Sequence, residues 1–260
     1  MPYADVNGQR LYFEDSGGAG PAVILSHGFL MDRDMFAPQV EALSPEFRVI
    51  TWDERGFGDT EFDGQAFTYW DSARDCLGLL DHLGVDRAVV GGMSQGGFLS
   101  LRAALLAPAR VRALVLIDTQ SGVEDEVRLP LYRQMQQTWL EVGPVDQLTE
   151  AIAALIIGDP AASAPWIEKW QRLPRENMQA VGDCLFDRDD ITPRVGEISC
   201  PAIVFHGTAD QSIEIEIGER LSRDLPGCVG LVRIEGAAHA SNLTHPDQVN
   251  GPLLDFLRSL

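Results

Sequence analysis

Positive charge is what this sequence has least of. Its basic residues number 20 against 39 acidic ones, a formal net charge of −19, and Lys169 is its only lysine. Nucleic acid demands a basic face that neutralises phosphates, so that class of partner is excluded, and an anionic membrane surface is equally disfavoured. The acidic excess reads as a solvated surface, not as a field tuned to repel anionic substrates. Long apolar runs are missing too: no stretch of about 20 apolar residues exists, so no membrane span is expected. The opening MPYADVNGQR has neither a basic nor an apolar leader segment, which argues against a signal peptide. Cysteine is scarce. Cys76, Cys184, Cys200 and Cys228 form no C-x-x-C pair, and none stands near a histidine at metal-ligand spacing. They are expected to be free thiols in a reducing, cytoplasmic setting. A P-loop, a G-x-G-x-x-G, an internal repeat and a low-complexity tract are all absent, so neither a metal nor a cofactor is expected. The residues leave the oligomeric state open, a homo-oligomer included.

What is present is an apolar content of 45%, enough for a large core, distributed in a regular alternation. The Asn7-Gly8 turn signal followed by QRLYFED predicts an antiparallel start. Strand-like runs then occupy residues 22–26, 47–53, 88–91 and 111–117. Between them lie helical patterns at 35–43, 68–83 and 97–106, the second stopped by Gly84. After a lapse, strands at 202–205 and 229–234 resume around a helix near 214–225, and a helix opening at Pro246 closes the chain. This alternation predicts an α/β fold with a mainly parallel sheet covered on both faces. The lapse, residues 120–195, carries helical pieces at 131–142 and 145–157, broken by Gly143-Pro144, Gly158-Asp159-Pro160 and Pro165. It reads as a helical insertion between a core of residues 1–119 and 196–260.

The chemistry centres on Gly92-Met93-Ser94-Gln95-Gly96-Gly97, a G-x-S-x-G with an apolar strand before it and a helical segment after it. Such a reversal strains residue 94 and crowds its flanks, so both flanking positions want no Cβ. It also sets the Ser94 hydroxyl at a helix N-terminus, where developing negative charge is favoured. A serine hydroxyl needs a base. Of His27, His82, His206, His239 and His245, only His239 lies in a small-residue loop after the last strand, where an imidazole can fold over the sheet edge. His82 reads as exposed on its helix, His245 as a helix entry, and His206 as the end of a strand. Asp210 and Asp118, each at a strand end, compete to orient that base. Asp210 is preferred because it precedes His239 by one strand, although each also reads as a cap on the turn it enters. After the strand 22–26 comes His27-Gly28-Phe29. The amides of Phe29 and Gln95 are the expected oxyanion hole, with His27 supporting the loop. Asp53-Glu54-Arg55-Gly56-Phe57-Gly58-Asp59 reads as a structural turn in which Arg55 pairs locally with Asp53 or Asp59. Met135, Trp139, Trp166 and Trp170 are candidates for an apolar substrate pocket.

Taken together and in this order, His27-Gly28, Asp53-x-Arg55-Gly56-x-Gly58, Gly92-x-Ser94-x-Gly96-Gly97, Gly207-x-x-Asp210 and His239 make the chain resemble the α/β-hydrolase superfamily over nearly its whole length. The resemblance implies an eight-stranded, mostly parallel sheet, a helical cap over residues 120–195, and acyl transfer through a serine ester without a metal. The nearest subgroups are small carboxylesterases and enol-lactone hydrolases. Gln95 departs from the latter, many of which carry methionine there. Ser94 argues against haloalkane dehalogenases and epoxide hydrolases, whose nucleophile is aspartate. An enol-lactone substrate carries a carboxylate, so that reading needs a cation in the pocket, for which Arg33, Arg128 and Arg133 are the candidates. A carboxylesterase or lactonase acting on a small-molecule substrate is therefore expected. Carbon–carbon bond hydrolysis, amide hydrolysis and perhydrolysis use the same triad. A hydrolase-like receptor that captures a small ligand without turnover is the non-catalytic alternative.

Overall fold

The computed structural model describes residues 2–260, and its sheet runs β1 (Tyr3–Val6), β2 (Gln9–Asp15), β4 (Arg48–Trp52), β3 (Ala22–Ser26), β5 (Ala88–Met93), β6 (Val111–Ile117), β7 (Ala202–Gly207) and β8 (Cys228–Ile234) from edge to edge. β1 and β2 form the antiparallel hairpin announced by Asn7-Gly8, and β2 meets β4 antiparallel. All later neighbours are parallel. The central strands β3 and β5 are buried at every position. Helices therefore cover both faces, which is why these strands read as continuous apolar runs and not as an alternation. Among the described residues no helix is long and apolar enough to cross a membrane.

The covering helices are α1 (Ala37–Leu43), α2 (Tyr69–His82), α3 (Gln95–Leu106), α8 (Ile215–Asp224) and α10 (Pro246–Ser259), with the short α9 (Ser241–Thr244) before the last. The 35–43 pattern divides: a 3-10 turn over Arg33–Phe36 precedes α1, because Pro38 lies in the first turn of α1 and has no N–H to carry an earlier helix through. At α2 the Asp71 carboxylate accepts from both the amide and the hydroxyl of Thr68, an N-terminal cap, and Gly84 beyond its end adopts φ +64°.

Between β6 and β7 the chain forms α4 (Leu129–Val142), α5 (Asp146–Ile156), α6 (Pro160–Trp170) and α7 (Asn177–Phe186). Asp159 caps α6 by accepting from Ala162 N at 2.9 Å, with Pro160 in the first position, so the Gly-Asp-Pro break is a helix start. These helices lie over the loops that leave the carboxyl ends of the strands. The Trp170 indole donates to Leu30 O at 2.5 Å, and Lys169 Nζ reaches Asp32 and Asp34 at 2.6 Å each. Asn177 donates to Gly56 O, and Arg128 to Ser212 O. Lys169 also sits over the Trp166 ring.

The Asp53–Asp59 loop is structural, but its pairing differs from the local one expected. Arg55 reaches away to Asp75 on α2, with Nε at 2.5 Å and Nη2 at 2.8 Å, and Arg33 takes its place on Asp53 at 2.6 Å and Asp59 at 3.0 Å. The turn at Gly58 explains this: its φ of +52° packs the backbone against the Asp53 carboxylate, where a Cβ would come within 2.2 Å of Oδ2. Asp53 thereby accepts the amides of Arg33 and Asp59, while Arg55 is engaged by Asp75.

Candidate active site

At the junction of β5 and α3 the backbone of Ser94 takes φ 52° and ψ −113°, a left-handed state rare for a residue with a Cβ. Its neighbours explain how the turn is held. A Cβ on Gly96 would lie 1.9 Å from Ser26 O, and one on Gly92 would lie 2.4 Å from the same oxygen. The turn is thus pressed onto the end of β3, as the crowding expected from G-x-S-x-G requires. Ser94 N donates to Ile117 O on β6, and Thr119 Oγ1 donates to Ser94 O. The serine carbonyl also receives Gly97 N and Phe98 N, which starts α3 at Gln95, two residues earlier than its pattern suggests.

His239 comes from the loop after β8. Its Nδ1–H donates to Asp210 Oδ2 at 2.7 Å, and the Ser94 hydroxyl donates to its Nε2 at 2.9 Å. A carboxylate only accepts, so Asp210 selects the tautomer that leaves Nε2 free to take a proton. Burial opposes charge on His239, yet the Asp210 carboxylate outweighs it and holds the imidazole pKa above its ordinary 6.5. Burial likewise opposes charge on Asp210, but His239 and hydrogen bonds from His206 and Ile213 N hold it well below the usual carboxylate range. Asp210 also caps its turn: Oδ1 accepts from Ser212 N and Ile213 N while Oδ2 faces the histidine.

Asp118, the competing acid, does something else. Its Oδ1 accepts from Gly207 N at 2.7 Å, and its Oδ2 accepts from Ser241 N at 3.0 Å and Ser241 Oγ at 2.5 Å. It clamps the end of β7, which leads to Asp210, to the residue two places after His239. Burial pushes its pKa up to about 6. His206 does more than end its strand: its Nε2 bonds Ile213 O at 2.7 Å and lies 3.4 Å from Asp210 Oδ2. Asp118, His206 and Asp210 thus form a buried cluster of metal-ligand types, but their oxygens already accept protein N–H and O–H groups, which makes the cluster a scaffold. No sequence spacing points to it, because its members come from two strand ends and a loop.

His27 supports the β3 loop as expected. Its Nδ1–H donates to Gly28 O and its Nε2 accepts from Glu54 N, which fixes a neutral ring, and burial lowers its pKa to about 4. Among the described residues, neither Phe29 N nor Gln95 N donates to a protein acceptor, so both amides are free for an oxyanion. The Gln95 side chain turns away, donating to Glu54 and accepting from the Tyr69 hydroxyl. Burial pushes the Glu54 pKa up to about 8 from 4.5. The folded protein then holds a proton that the unfolded chain releases, so stability falls as pH rises from 4.5 to about 8. Glu54→Gln keeps the acceptor for Gln95 and removes the titration. The variant is expected to lose less of its melting temperature between pH 5 and 8 than the wild type, read by calorimetry, and equal slopes would contradict a buried neutral Glu54.

A cavity of about 110 Å³ opens beside Ser94 and His239. Its wall includes the candidates Met135 and Trp139, together with Phe29, Tyr132 and Phe186. Trp166 and Trp170 do not line it. Trp170 is fully buried with its N–H on Leu30 O, and Trp166 lies against Lys169, because the α6 face that carries them docks on the β3 loop. The three arginines proposed as a carboxylate anchor are also elsewhere: Arg33 is held by Asp53, Asp59 and Glu14, Arg128 by Glu214, and Arg133 by Asp183 and Asp187. The charged side chain in the wall besides His239 is Glu124, paired at 2.9 Å with the buried Arg188.

Residues 21–246 match the alpha/beta hydrolase fold family. A 3-oxoadipate enol-lactonase from Acinetobacter baylyi is 24% identical, over 92% of this chain and 90% of that one. Among solved structures, an enol-lactonase from Burkholderia xenovorans is similar with a TM-score of 0.91 and 28% identity, covering 99% of this chain and all of the other. A thermophilic esterase from Thermogutta terrifontis is similar at 0.89 and 28%, covering 100% and 97%.

Proposed function

Since the chain belongs to the alpha/beta hydrolase fold family, we propose that it is a serine hydrolase cleaving a small, uncharged carboxylic ester or lactone through an acyl-enzyme on Ser94. The observation that carries this reading is the unbroken relay Ser94 Oγ, His239 Nε2 and Nδ1, Asp210 Oδ2, at 2.9 and 2.7 Å, on the wall of an apolar cavity. Ser94 attacks the carbonyl carbon and passes its proton to His239 Nε2, while Asp210 steadies the imidazolium. The amides of Phe29 and Gln95 receive the oxyanion, a pair of donors each worth about 10²–10³ in turnover. Collapse of the intermediate expels the alkoxide, which takes the proton from His239. Water then repeats the sequence on the acyl-enzyme and returns Ser94 free.

The enol-lactonase and esterase among its relatives support ester and lactone bonds as the substrates. Within that pair, a cavity that lacks the three candidate arginines, with Arg188 held by Glu124, favours neutral substrates over carboxylate-bearing lactones. The test is a panel of short aryl esters, lactones and monoethyl succinate, run from pH 5 to 9 alongside fluorophosphonate labelling. Because only neutral His239 accepts the proton, kcat/KM is expected to rise with pH through one ionisation above 6.5. Monoethyl succinate is expected to be at least about tenfold slower than a neutral ester of similar length. No turnover of any ester and no label on Ser94 would leave a ligand-capturing receptor in its place.

A further inference from the structure

The cavity beside Ser94 is apolar except at a few points, and two of those points are unsatisfied. Trp139 is 1% exposed, yet its indole N–H has no acceptor, and the buried Ser212 Oγ has no partner. Both residues line the cavity that holds Ser94 and His239. Two other polar side chains of the wall are engaged, while the hydroxyl of the half-buried Tyr132 makes no hydrogen bond among the described residues. Gln136 donates to Met178 O and Asp183 and accepts from Arg133, and Glu124 accepts from Arg188. Gln136 and Trp139 stand three residues apart on α4, so the wall holds a satisfied amide beside an unsatisfied indole. Buried donors are almost always paired, and a donor left without a partner in a functional cavity calls for an explanation.

We propose that Trp139 and Ser212 select the substrate: the part of the ester that does not react carries an uncharged oxygen, a hydroxyl, ether or ketone, which accepts from the Trp139 N–H with the Ser212 hydroxyl beside it. An indole donates only, so it recognises an acceptor and gives nothing to a plain alkyl chain. A site built to bond an oxygen rejects the methylene analogue, because the wall donor then stays unpaired in the bound state. A carboxylate would also accept from the indole, but the wall offers it no unpaired cation, Arg188 being held by Glu124, which leaves the neutral oxygens. The inference rests on the reading of Ser94 as nucleophile for its kinetic arm only, since binding is measurable without turnover.

The probes are ethyl 3-methoxypropanoate and ethyl pentanoate, which differ by one oxygen in place of one methylene. The wild type is expected to prefer the ether in kcat/KM by about tenfold, the discrimination of one buried hydrogen bond. Trp139→Phe keeps a ring in the wall and removes the donor, and the ratio is expected to fall to about one. Ser212→Ala, which removes only an unpartnered hydroxyl, is expected to lower the ratio part of the way while leaving the melting temperature unchanged or higher. A purely structural role for these side chains would shift both esters together and leave the ratio intact. In parallel, both esters are titrated calorimetrically into Ser94→Ala protein, where the ether is expected to bind more tightly. If the wild type hydrolyses both esters at equal rates, or Ser94→Ala protein binds them equally, the selection inference is overturned while the hydrolase reading survives. If the ether binds more tightly but no ester of the panel is turned over and fluorophosphonate leaves Ser94 unlabelled, the hydrolase reading fails and the selection stands.

Discussion

Ser94→Ala is expected to lower kcat on the best ester at least ~10³-fold, with the melting temperature close to that of the wild type, and to abolish fluorophosphonate labelling. The size follows from what remains. The two oxyanion amides and the cavity are untouched, and in serine hydrolases such residual machinery still speeds the reaction about 10³–10⁴-fold over water while the covalent route is lost. Alanine has the same Cβ as serine, so the left-handed backbone at position 94 is no more strained than before, and the packing of Gly92 and Gly96 on Ser26 O is preserved. A folded variant that kept turnover within tenfold would show that the hydroxyl is not the attacking group.

Asp210→Asn and Asp118→Asn are expected to part company. An amide at position 210 presents an N–H to His239 Nδ1, which reverses the tautomer and turns a donor, Nε2–H, toward Ser94. The base is then occupied, and kcat is expected to fall by about 10⁴ with modest change in KM. Asp118 touches neither Ser94 nor His239 through its side chain. It receives three donors, Gly207 N, Ser241 N and Ser241 Oγ. An amide there sets N–H against N–H, at a cost of about 1–3 kcal/mol, which lowers the melting temperature by several degrees and changes kcat by less than about tenfold. Thermal melts and steady-state rates on both variants decide the matter. The reverse pattern, with turnover lost at 118 and kept at 210, would exchange the roles of the two acids.

The features legible from residues were those decided locally. β2, β3 and β6 occupy the spans their apolar runs mark, because a strand buried on both faces advertises itself. The serine turn was legible because the close approach to Ser26 O leaves room only for glycine at 92 and 96. Ser94 and His239 lie 145 residues apart, yet both stand where a strand ends, so the parallel sheet brings them to one edge. Long side chains were another matter. Arg55 reaches Asp75, and Arg33, a candidate for the pocket, takes the Asp53 that the local reading gave to Arg55, since an arginine reaches whichever carboxylate the tertiary packing offers. Trp166 and Trp170 looked no different in sequence from Trp139. Which face of a helix meets the cavity depends on how α4 and α6 dock, and no periodicity within either helix encodes that. The buried Asp118, His206 and Asp210 cluster was invisible for the same reason.

The ε-ammonium of the chain's single lysine, Lys169, is spent joining α6 to Asp32 and Asp34 in the loop that also carries Leu30 and Phe29. Any covalent tagging of lysine side chains, whether acylation by a metabolite or coupling to a solid support, has this one target, and capturing it would unfasten the seam beside the reaction centre. Immobilising the protein through its lysine would therefore compromise it, and attachment through its carboxylates is the gentler route.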